Sequence, residues 1–281
     1  MSKVWFITGT TSGIGASLAR AALNAGDRVM ATGRNVDKMR AAFEDLPQDN
    51  LAFAKLDVAD AAQAEAAIAE TLRRFGRIDV LVNNAGYSIL GNFEEITAGE
   101  LEAQLRTNFF GVANVMRAAL PAMRAQRSGR IINISSVAGV VGMKHCSAYS
   151  ASKFALEGLS LAVGDEVGQF GIAVTIVEPG FFRTNLLDPR NVQWTTHPVA
   201  DYAAEGSPEA MWGGYNGAQT NDPAKLANAL LKIAAMDKPP KIFAGGADAL
   251  AAIRPAIEAR LEDMRSQEQL SIGMEVALPA T

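Results

Sequence analysis

The sequence holds a single cysteine, Cys146, in 281 residues. One thiol cannot close an intramolecular disulfide, and it cannot supply a cysteine-ligated metal cluster. Only two histidines occur, His145 and His197, and neither stands among carboxylates or thiols at metal-ligand spacing, so no metal is expected. No uncharged apolar run reaches the ~18 residues that suggest a membrane span. The stretch from Met1 to Thr8 lacks the basic segment, apolar core and cleavage site of a secretory signal. Cytoplasmic residence without a membrane partner is the expectation. Charge of one sign is missing too: the net charge is −4, with acids and bases interspersed. With no basic stripe to meet a phosphate backbone, nucleic acid is not an expected partner.

What is there is an ordinary globular balance, 49% hydrophobic and 20% charged. A domain of about 300 residues buries roughly 75% of the surface its unfolded chain exposes, so the whole of 1–281 is expected to be one domain. Short apolar, β-branched runs alternate with helical patterns. Strands are expected at Lys3 to Thr8, Arg28 to Thr32, Leu51 to Leu56, Ile78 to Val82, Arg130 to Ile134, Ile172 to Val177 and Lys241 to Ala244. Helices are expected at Ile14 to Ala25, Val36 to Asp45, Ala61 to Phe75, Glu100 to Arg124, Tyr149 to Phe170, Pro223 to Met236 and Ala247 to Met264. This order predicts an α/β fold, a Rossmann-type, doubly wound, parallel seven-stranded sheet with helices on both faces. From Phe181 to Asp222 the periodicity fails, and so long an irregular stretch predicts a substrate-covering insertion with short helices. A C-terminal helix and polar tail occupy about 247–281.

Thr8-Gly9-Thr10-Thr11-Ser12-Gly13-Ile14-Gly15 ends the first strand and opens the first helix. Glycines there permit unusual backbone angles and let the main chain approach a pyrophosphate, whose charge the helix N-terminus favours. Gly9, Thr11, Ser12, Gly13, Ile14 and Gly15 are therefore candidate dinucleotide contacts. At the end of the second strand, where an acid would bind a ribose 2′-hydroxyl, the chain has Gly33-Arg34. An arginine offers a positive fork to a 2′-phosphate, so NADP(H) is favoured over NAD(H), with a solvated surface arginine as the plainer reading.

Tyr149 and Lys153 stand four apart on a predicted helix and share a face, thirteen residues after Ser136. A lysine ammonium near a phenol favours the phenolate and is expected to lower its pKa from ~10. Such a tyrosine can exchange a proton with an alcohol or ketone oxygen while a serine hydroxyl bonds the same oxygen.

Taken together, these residues resemble the short-chain dehydrogenase/reductase family in its single-domain form, from about Lys3 to Thr184. Thr8 to Gly15 matches its TGxxxGxG segment, Asp57-Val58 its adenine-contacting pair and Asn83-Asn84-Ala85-Gly86 its NNAG segment. Asn108, Ser136, Tyr149 and Lys153 match its catalytic tetrad, and Pro179-Gly180 with Thr184 its nicotinamide-holding segment. The resemblance implies hydride transfer between nicotinamide and a carbonyl or alcohol carbon. Tyr149 would trade the proton, Lys153 would bond the nicotinamide ribose, Ser136 would polarise the substrate oxygen and Asn108 would hold a water joining Lys153 to solvent. It also implies cofactor contacts from Asn83, Ala85 and Gly86, and carboxamide contacts from Thr184 and the backbone around Phe182.

Residues after Ser136 and Gly180 line the substrate side in relatives, and here they are mostly apolar. Val137, Met143, His145, Phe181, Leu186, Leu187 and Trp212 are the candidate substrate contacts, for an apolar or aromatic ketone or secondary alcohol. Core packing is the plainer reading for about half of the apolar residues there. Glu178 to Thr184 is similar to bacterial members grouped with hydroxysteroid-type dehydrogenases, an analogy only. The charged C-terminal helix departs from the tetrameric pattern. A homodimer through the two long helices is expected, with monomer and tetramer as alternatives. The rival function is a dinucleotide sensor without turnover, which usually lacks the tyrosine or lysine present here.

Overall fold

The structure is a computed structural model that describes residues 2–188 and 191–274. The predicted tail therefore lies outside the described residues from position 275 onward. The chain runs β1 (Val4–Thr8), α1 (Gly13–Asn24), β2 (Arg28–Gly33), α2 (Val36–Ala42), β3 (Leu51–Lys55), α3 (Ala61–Phe75), β4 (Val80–Asn83) and β5 (Ile89–Leu90). It continues through α4 (Ala98–Leu105), α5 (Gly111–Gln126), β6 (Gly129–Ile134), α6 (Ser147–Val167), β7 (Ile172–Pro179), β8 (Gln193–Trp194) and α7 (Pro208–Gly213). It ends with α8 (Pro223–Ala235), β9 (Ile242–Gly245), α9 (Ala247–Ser266) and α10 (Glu268–Ile272).

Among the described residues, seven strands form one parallel sheet in the order β3-β2-β1-β4-β6-β7-β9. Strand order reverses between β1 and β4, the place where open α/β sheets leave a crevice at their carboxyl ends. The period of two along each strand feeds two cores. Val4 and Phe6 face one layer, made by Ala67 and Ile68 of α3, Val115 and Met116 of α5 and Leu156 of α6. Trp5 and Ile7 face the other, made by Leu18 and Ala22 of α1 and Leu226 and Leu230 of α8. Strands covered on both sides this way need apolar residues at nearly every position, which is why they read as short continuous runs.

Two expectations need correcting. The single helix from Glu100 to Arg124 is two helices, α4 and α5, separated by a π-helical turn at Arg106–Phe110. Asn108 points inward from that turn, 1% exposed, and the buried positions Gln104, Asn108 and Val112 keep the spacing of an unbroken helix. The irregular stretch after Gly180 contains α7 and short 3-10 turns, as expected, but also β8. That strand pairs in parallel with β5, Ile89 with Gln193 and Leu90 with Trp194, and so ties the loop to the body.

Candidate functional site

The glycine turn is latched to the carboxyl end of β4. Thr8 Oγ1 accepts hydrogen bonds from the Asn84 and Ala85 amides, both at 2.9 Å, and Asn84 Nδ2 donates to Thr8 O at 2.9 Å. Gly9 has φ +70°, a left-handed conformation that side chains disfavour. A Cβ on Gly15 would stand 2.4 Å from Gly9 O and 2.5 Å from Asn84 Nδ2. The sequence thus keeps the turn bare because its own backbone fills the space behind it.

In front of the turn lies a cleft of about 680 Å³. Of the expected cofactor contacts, Gly9, Thr11, Ser12, Gly13, Ile14, Arg34, Asp57, Val58, Ala85, Gly86, Pro179, Gly180, Phe182 and Thr184 line it, with Tyr149 and Lys153. Gly15 and Asn83 do not line it. Gly15 is buried behind the turn, and Asn83 donates through Nδ2 to Asn133 Oδ1 at 2.8 Å inside the sheet. On the substrate side, Val137, Met143, Phe181, Leu186, Leu187 and Trp212 also line the cleft. His145 is the correction there. Its backbone is left-handed at φ +62°, its ring is buried, and Nδ1 bonds Asn92 Oδ1 at 2.8 Å, so it braces the loop rather than facing the cleft. Sequence could not reveal that, because Asn92 is 53 positions away.

Helix α6 carries Tyr149 and Lys153 one turn apart, and Ser136 caps the short turn Val137–Gly139 that follows β6. Lys153 Nζ stands 5.7 Å from the Tyr149 ring centroid and donates to Ile134 O at 2.8 Å. Asn108 anchors the neighbouring loop: its Nδ2 donates to Tyr87 O at 3.0 Å and Ser152 Oγ at 3.2 Å, and its Oδ1 accepts from the Tyr87 amide.

The electrostatics of this group differ from the expectation. Burial pushes the Tyr149 phenol up to about 12, with the Ser136 hydroxyl pulling it down and Cys146 pushing it up. Burial also pushes Lys153 down to about 8, opposed by Glu157 one turn further along the helix. Desolvation therefore dominates both groups, and the phenol keeps its proton at neutral pH. Glu157 is itself raised to about 7, chiefly by burial, with the Ser135 hydroxyl pulling it down and Glu178 pushing it up.

Several lining residues escaped the sequence reading. Tyr87, Arg106, Thr107, Asn185, Gln193 and Gln219 reach the cleft from loops, from β8 or from the π-turn. Burial raises the Tyr87 phenol, opposed by the positive charge of Arg34 and by the Thr107 hydroxyl. Tyr87 follows directly on Gly86, and that adjacency was the one usable signal. Among the described residues there is no cluster of three or more His, Cys, Asp or Glu side chains that could hold a metal. Nor is any helix among them long and apolar enough to cross a membrane.

A dinucleotide fits these residues. The bare turn at a helix N-terminus has no room for Cβ atoms, two arginines line the cleft, and Tyr149 and Lys153 lie within it. A family profile described as short chain dehydrogenase matches residues 3–194. The 3-ketodihydrosphingosine reductase of Bacteroides thetaiotaomicron is 38% identical over 241 residues, 85% of this chain and 86% of that one. A crystal structure of a short-chain dehydrogenase from Streptomyces avermitilis superposes with a TM-score of 0.88 at 38% identity, covering 98% of this chain and 100% of that one. Solved structures of the same fold carry either cofactor form. ElxO with NADP bound is 27% identical at a TM-score of 0.74, covering 89% of this chain and 100% of that one. A dehydrogenase from Burkholderia phymatum with NAD is 21% identical at 0.78, covering 100% and 98%.

Proposed function

The chain belongs to the short-chain dehydrogenase family, a family of oxidoreductases, and from this we propose that it is an NADP(H)-dependent reductase of apolar or aromatic ketones, or a dehydrogenase of the matching secondary alcohols. One observation carries the reading: Tyr149, Lys153 and Ser136 meet in a cleft that also runs along the glycine turn and Arg34. The nicotinamide, when bound, supplies or accepts the hydride. Tyr149, protonated at neutral pH because it is buried, gives its proton to the substrate oxygen in the reductive direction. Ser136 donates a hydrogen bond to the same oxygen and so stabilises the charge that builds there. Lys153 would hold the nicotinamide ribose, and Asn108 keeps the Tyr87 loop in register against α6.

The preference for the phosphorylated dinucleotide is supported by Arg34 at the end of β2, where an acid would repel a 2′-phosphate. The apolar substrate is supported by Phe181 and Trp212, which line the cleft and pack with the Tyr215 ring. Phe181 stacks on Tyr215 at 5.1 Å and on Trp212 at 6.0 Å between centroids. It is also supported by a relative named for reducing a keto compound. The protein is further proposed to work in the cytoplasm as a homodimer through the outer faces of α4, α5 and α6. Phe110 and Phe154 lie there 54% and 42% exposed.

The test is NADPH oxidation with a panel of apolar ketones, comparing the wild type with Tyr149→Phe. The variant should bind NADPH as the wild type does and lose turnover by about two to four orders of magnitude. Near-normal turnover would refute the mechanism, and no turnover by the wild type on any ketone or matching alcohol would favour the sensor.

A further inference from the structure

The C-terminal helix α9 lies beyond the segment that the family profile matches, yet its second residue reaches the cleft wall. Asp248 Oδ2 accepts a hydrogen bond from the Phe181 amide at 2.7 Å, and Oδ1 accepts one from Asn221 Nδ2 at 2.8 Å. Those two partners are the opposite ends of the long substrate loop. Phe182 and Asn221 form a parallel bridge, the Arg183 amide donates to Asn221 O at 2.8 Å, and Arg183 Nε donates to Gln219 O at 3.1 Å. Gly180 packs flat on the carboxylate, where a Cβ would stand 2.4 Å from both oxygens. The Gly180 amide also donates to Gly245 O at 2.9 Å, which fixes the same corner to β9.

Helix α9 touches the other wall of the cleft as well. Its Ala249 and Ile253 pack with Val137, the residue next to Ser136. The ring of Phe181, whose amide Asp248 holds, is the one stacked on Trp212 and Tyr215. The carboxylate takes donors from two chain segments at once, one on each oxygen.

We infer that Asp248 is a positioning residue that pins the two roots of the substrate loop together, so that helix α9 sets how the aromatic trio closes over the cleft. The inference takes the cleft to be the substrate site, as proposed above, but its test needs no substrate. Trypsin cuts after arginine, and the exposed Arg183 sits at the loop root. When opening is fast relative to cleavage, the cleavage rate follows the population of the open loop.

Asp248→Ala removes both bonds. Cleavage after Arg183 should then quicken about tenfold, equivalent to about 1.4 kcal/mol, while cleavage elsewhere and the melting temperature stay near wild type. Asp248→Asn is the conservative control. Its amide can accept from the Phe181 N–H and donate to Asn221 Oδ1 once the Asn221 amide turns over, which should hold the rate within about twofold of wild type. Should Asp248→Ala fail to fold, Asn221→Ala breaks one of the contacts from the loop side and should also quicken the cleavage. An unchanged rate at Arg183 in folded Asp248→Ala, an equal quickening in Asp248→Asn, or quickening in step at every site would overturn the role. If the ketone panel finds no turnover but Arg183 cleavage behaves as expected, the pin stands and the reductase reading falls.

Discussion

At the scale of single residues, the site is governed by what burial does to charge. Tyr149 and Lys153 share a face, as the spacing of four required. What spacing could not give was the sign of the electrostatic outcome, because the phenol is driven up by desolvation and not down by its neighbour. Arg34 is the residue on which the proposed preference for NADP(H) rests. Arg34→Asp should raise the KM for NADPH about tenfold or more, since a charge-assisted bond is worth about 1.5–3 kcal/mol. The KM for NADH should fall or hold in the same assay. An unchanged KM for NADPH would remove Arg34 from the site. His145 teaches the opposite lesson: a loop histidine near the catalytic residues looked like a substrate contact and is a brace.

At the scale of elements, the strand-turn-helix at the start of the chain is where local sequence and tertiary packing agree most closely. Thr8 to Gly15 was legible because the turn needs glycine for reasons internal to itself, although the latch from Asn84 and Ala85 arrives from 76 and 77 positions away. Gly15→Ala puts a methyl into the Gly9 carbonyl, and overpacking of this kind costs typically about 1–3 kcal/mol. The variant should melt several degrees lower and bind NADPH at least tenfold more weakly in a fluorescence titration. Wild-type affinity in Gly15→Ala would mean that the turn does not cradle the dinucleotide. The π-turn that carries Asn108 was not legible, since the buried positions Gln104, Asn108, Val112 and Met116 keep the four-residue spacing of an uninterrupted helix.

At the scale of the whole molecule, exposed rings on α6 and beside α5 are the surface that a partner copy would cover. Phe154→Arg should convert a homodimer into a monomer in sedimentation experiments with the fold intact by circular dichroism; a wild type that sediments as a monomer would remove this interface. The chain's alternating runs by themselves determined the parallel sheet and its seven strands, and spacing within one stretch gave the glycine turn and the shared face of Tyr149 and Lys153, whereas Asn108 and Ser136 were singled out only by the resemblance to a family. Only the tertiary structure decided the raised phenol, the bracing role of His145, the strand that ties the loop down and the hold of Asp248 on both loop roots. The reason is physical: desolvation depends on everything that packs around a group, and a hydrogen bond across 67 positions, such as that from Phe181 to Asp248, has no local pattern to betray it.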